Sequence, residues 1–148
     1  IGRFPPLDRV DYLDHAVPLL EREPLRPERP SLGEIRAYLG GTPFANWEKT
    51  AARFSALDTL DPDDRKPYLR ALLYPARFAA SWLTGEMLSN DEAVRLIEEK
   101  RPAGFDPELI IRAMQCRLDA TDPDPLFAER TRLPGLVAAC SQLMAEAT

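Results

Sequence analysis

The chain has 148 residues, 45% hydrophobic and 29% charged, and a net charge of −5 from 19 basic and 24 acidic side chains. That length accommodates one domain whose core needs neither disulfides nor metals. The acidic balance argues against a nucleic-acid partner, which requires a positive surface, and suits a cationic small molecule better.

No apolar run approaches the ~18 residues of a membrane span. The N-terminal IGRFPPLDR lacks the apolar region of a signal peptide, and the absence of an initiator Met raises the expectation that the chain is a fragment. Cys116 and Cys140 lie in apolar helical patterns without CxxC spacing, which fits buried free thiols of a cytoplasmic protein.

Fifteen prolines and seven glycines cut the sequence into helix-length pieces, and no strand-like alternation of β-branched residues occurs. From Leu7 to Glu23, Val10, Leu13, Val17 and Leu20 follow the helical period, with Pro18 set to end or kink the run. The prolines of EPLRPERP then impose an extended path. Residues 1–30 therefore read as an N-terminal helical arm and Pro-rich linker, and residues 31–148 as the helical bundle domain.

Ser31 and Glu34 make a capping-box pair at the start of SLGEIRAYLG, which Gly40 ends. A helix from about Ala45 to Leu57 places Trp47, Ala51, Phe54 and Leu57 on one face. The next begins near Asp61-Pro62, an aspartate N-cap with proline at the first position. It is apolar around most of its circumference as far as Leu83, as a central, mostly buried helix must be, and Pro75 predicts a kink without a break.

In SWLTGEMLSNDEA, Gly85 is placed for a left-handed helix stop. Ser89 and Glu92 form a second capping box, leaving only Thr84 and Glu86 without a structural role. Asp106-Pro107 opens a helix with Leu109, Ile110, Ala113, Met114 and Leu118 on its apolar stripe. A last helix spans Leu133 to Met144. The expected fold is all-α, an antiparallel bundle of about five to seven short helices.

Chemistry is sparse. His15 is the single histidine, and neither a nucleophile in a triad context, a zinc ligand set, a P-loop nor GxGxxG accompanies it. No catalytic, cofactor-binding or metal-binding residue is assigned on these grounds. Two acidic clusters remain. Asp119, Asp122 and Asp124 lack the glycine and closing glutamate of a calcium loop and read as a solvated turn. Asp58, Asp61, Asp63 and Asp64 are expected for helix capping alone, and would also suit a site for a polyamine or aminoglycoside; spacing does not choose between them.

From about Arg36 onward, LDTL with its acidic stretch, LRALLYPARFAASWLTGEMLSNDEA and RPAGFDPELIIRAMQCRL together resemble the C-terminal helical domain of the streptomycin/spectinomycin adenylyltransferases. The resemblance covers roughly three-quarters of the chain. It implies a helical domain that closes over an active site and helps to bind an aminoglycoside and a nucleotide. The GS motif and magnesium-binding carboxylates of that family belong to an N-terminal catalytic domain, and this sequence contains no GS motif. The chain alone is thus not expected to transfer an adenylyl group; ATP and magnesium are expected only of a full-length parent. The family's acidic drug-binding positions correspond to Asp63 directly and, for the second, to Asp64 with a gap or Pro67 without one. Its nucleotide-contacting lysine corresponds to Asn90, and a tyrosine stacked near the nucleotide to Arg117. Those two departures favour an alternative, a stand-alone helical interaction or regulatory module that has lost its ligand. The related helical toxin ribonucleases fit less well, because Trp82 stands at the histidine's position after Arg77.

Overall fold

The computed structural model describes residues 5–15 and 28–146. Among these the chain is all-helical, with no strand. Helices α1 (Pro6–His15), α2 (Leu32–Leu39) and α3 (Thr42–Ala56) lead through a 3-10 turn, Pro62–Asp64, into α4 (Arg65–Thr84). Then follow α5 (Asn90–Lys100), α6 (Pro107–Asp119), the single turn α7 (Asp124–Phe127), a 3-10 turn Arg130–Arg132 and α8 (Leu133–Glu146).

Helix α4 is the core of the bundle. Twelve of its 20 residues are buried, so it cannot lie on the surface, and it packs against α2, α3, α5, α6 and α8. Burying side chains such as Leu72, Leu73 and Phe78 supplies about 1.5–3 kcal/mol each. An aromatic ladder runs along its inner face, with Phe78 stacked on Trp82 at 5.6 Å and Tyr74 on Trp47 at 4.9 Å. At the other end Tyr68 lies edge-on between Phe54 and Phe127, 5.3 Å from each, and donates a 2.7 Å hydrogen bond to the Leu126 carbonyl.

The helix continues through Pro75 without a break. The absence of a break agrees with the sequence expectation, and continuity by itself demonstrates no kink. Proline removes the N–H that would bond the carbonyl four residues earlier, at Ala71. The Trp47 indole N–H takes that place at 3.0 Å.

The punctuation around α4 follows local chemistry. Gly85 has φ 71° and donates its N–H to the Ser81 carbonyl, closing the helix in the left-handed conformation. Ser89 and Glu92 form the reciprocal capping box at α5. Thr84, which the sequence left without a structural role, has one: its hydroxyl donates to the Ala80 carbonyl and accepts the Glu86 N–H. Ser81 also donates to the Glu86 carbonyl.

Two expected caps differ. Ser31 does accept the Glu34 N–H, but the Glu34 carboxylate turns outward to Arg9 on α1 at 2.9 Å. An ion pair with another helix has displaced the reciprocal bond. Asp61 makes no side-chain cap, because the 3-10 turn interposes its own backbone bonds before α4 begins.

Helix α1 lies against α2 and buries Val10 completely. Val17, Pro18 and Leu20 lie outside the described residues. Cys116 and Cys140 are both buried and free.

Candidate functional site

Two features of opposite charge adjoin the start of α4. The first is the acidic turn. Its position follows from Pro62, whose fixed φ suits the first place in a helical turn. Asp64 is half-buried and pairs with Arg53 of α3 at 3.3 Å, while the Arg53 guanidinium also lies over the Phe54 ring. Asp58, Asp61 and Asp63 are exposed and have no ion pair among the described residues. The two residues expected to bind substrate are therefore neighbours with different surroundings. Asp64 has a cationic partner, and Asp63 presents its carboxylate to water.

The second feature is a cleft of about 780 Å3 between the first turns of α4 and the end of α6. Leu69, Cys116 and Pro123 give it an apolar floor, and Arg65, Lys66, Arg70 and Arg117 line it with cations. Asp122 is the one carboxylate in the lining, 3.9 Å from Arg65. Lys66, Arg70 and Arg117 make no ion pair among the described residues. Asp122 also accepts the Asp124 N–H, so the second acidic cluster is a hydrogen-bonded turn at the cleft edge.

Sequence reasoning missed this cleft. Lys66 and Arg70 stand one helical turn apart and therefore share a face, a signal that was present. Arg117 joins them only through the packing of α4 on α6. Asp63 and Asp64 do not line the cleft, although Asp64 immediately precedes Arg65.

Other residues of interest are dispersed. Asn90 is the first residue of α5, with its side-chain oxygen buried and lacking a hydrogen-bond partner. Trp82 is buried beneath the Arg36 guanidinium, whose Nε–H donates to the Trp82 carbonyl at 3.0 Å. Cys140 is fully buried, and loss of hydration pushes its thiol up to about 12. Burial likewise raises the phenols of Tyr68 and Tyr74 well above their ordinary value. These are inert core groups at neutral pH. Among the described residues, no three histidine, cysteine or carboxylate groups are arranged to hold a metal, and no helix is long and apolar enough to cross a membrane.

Comparison with family models, curated proteins and solved structures gives no match.

Proposed function

We propose that the chain is the substrate-binding helical domain of an aminoglycoside-nucleotidyltransferase-like antibiotic-resistance protein. Adenylyl transfer is assigned to a catalytic domain outside this sequence. The acidic turn that leads into the buried central helix carries the proposal. Asp63 offers an exposed carboxylate with no ion pair among the described residues, and Asp58 and Asp61 add negative charge to the same short stretch. Asp64, steadied by Arg53, completes the pair assigned to the substrate's ammonium groups. The segment LRALLYPARFAASWLTGEMLSNDEA, on which the resemblance rests, covers most of α4 and the start of α5.

Calorimetric titration with streptomycin and with spectinomycin tests this role. Saturable binding of either drug, weakened about fivefold or more by Asp63→Asn, is the expected result. Absence of binding, or binding indifferent to Asp63→Asn combined with Asp64→Asn, contradicts it.

A further inference from the structure

The cleft between α4 and α6 is unexplained by the acidic turn, and its charge is opposite. We infer that it is a binding site for a small oligophosphate, a ligand carrying two or more linked phosphate groups. Four cations converge on a cavity whose only carboxylate is Asp122, in a chain that is acidic as a whole. Concentrating like charges in one place raises the energy of the empty cleft, and a bound polyanion relieves it. Helix capping does not explain the arrangement. Arg65 and Lys66 occupy the first turn of α4, the positive end of a 20-residue helix, where the macrodipole disfavours cations. The same dipole favours an anion bound there.

Ion pairing explains only Arg65, whose approach to Asp122 is long at 3.9 Å. Lys66, Arg70 and Arg117 keep their charges free among the described residues, and all three are exposed, so an incoming anion displaces no internal partner. A volume of about 780 Å3 fits a small molecule. The gathering of four cations within one cleft of this size, in a chain whose net charge is −5, favours such a ligand over an extended nucleic acid. The inference is independent of the aminoglycoside proposal.

Sodium tripolyphosphate is the probe, titrated calorimetrically into the whole chain at low ionic strength. One saturable site per chain is expected. Arg70→Gln with Arg117→Gln should weaken it at least about tenfold, as expected for removing charge-assisted contacts. Asp122→Asn should strengthen it, since the amide oxygen can still accept the Asp124 N–H while the opposing charge disappears. The control Arg95→Gln, on the exposed face of α5, should change nothing. Unchanged unfolding midpoints confirm that the variants fold. No saturable binding, binding unaffected by the double variant, or equal weakening by Arg95→Gln overturns the site. Equal competition by a single-stranded oligonucleotide without terminal phosphate overturns the assignment to a small oligophosphate.

Discussion

The Trp47 indole N–H donates to the carbonyl of Ala71, the acceptor that Pro75 leaves without its helical partner. A proline inside a helix ordinarily costs about 3 kcal/mol, part of it the missing hydrogen bond. Here α3 supplies the bond from outside, and Trp47 is held in place by stacking on Tyr74. Trp47→Phe should destabilise the fold by about 2–4 kcal/mol, combining an orphaned carbonyl with lost packing. Pro75→Ala returns a backbone N–H to Ala71, so the Trp47→Phe cost should fall by about 1 kcal/mol or more in that background. Denaturant unfolding of the four variants measures the coupling; equal costs in both backgrounds would refute it.

The buried acids of the core predict an alkaline limit. A thiol or phenol whose folded pKa is raised contributes stability that is complete below its unfolded pKa and is lost as pH rises toward the folded value. For Cys140 that window opens at 9.0 and extends to about 12, and for Tyr68 and Tyr74 it opens at 10.0. Unfolding free energy should lose this contribution from pH 9 upward, with a slope of up to about 1.4 kcal/mol per pH unit for each group involved. Cys140→Ala should remove the part that begins at pH 9. An identical alkaline profile in the variant would count against burial of the thiol as the cause.

The junction between α4 and α5 is a pair of local devices. Gly85→Ala puts a side chain at φ 71°, with its Cβ 3.3 Å from Leu32 Cδ1, and should cost about 1–2 kcal/mol. Gly85→Asn should be milder, because asparagine enters the left-handed region more readily. Ser89→Ala should cost about 0.5–2 kcal/mol through the lost cap. Thermal unfolding ranks the three.

The Arg53–Asp64 pair is exposed enough that water screens it, and Asp64→Asn should shift stability by less than about 1 kcal/mol. Its variants can therefore be used in binding experiments without confounding the fold. A larger loss on denaturant unfolding would assign Asp64 a structural role instead.

What was legible in the sequence was the chemistry written within a few residues. Gly85, Ser89 and Glu92 announce a helix stop and start because their bonds span one turn. The apolar circumference of α4 likewise announces its burial. What escaped depends on partners distant in sequence. Nothing near Pro75 reveals that Trp47, 24 residues from Ala71, will satisfy the carbonyl there. Glu34 looked like the second half of a capping box until Arg9 of α1 claimed its carboxylate. The basic cleft needed Arg117 to be brought across from α6, whereas Asp63 and Asp64 could be singled out from one short stretch.

The proposal that Asp63 holds a cationic drug meets its most direct test in a crossed titration. Streptomycin is titrated into the wild-type chain, into Asp63→Asn and into the Arg70→Gln, Arg117→Gln double variant, and tripolyphosphate into the same three. The predicted result is that Asp63→Asn weakens streptomycin about fivefold or more and leaves tripolyphosphate unchanged, while the double variant does the reverse. Streptomycin affinity that ignores Asp63→Asn, or that falls with the double variant instead, would contradict the assignment of the drug to the acidic turn.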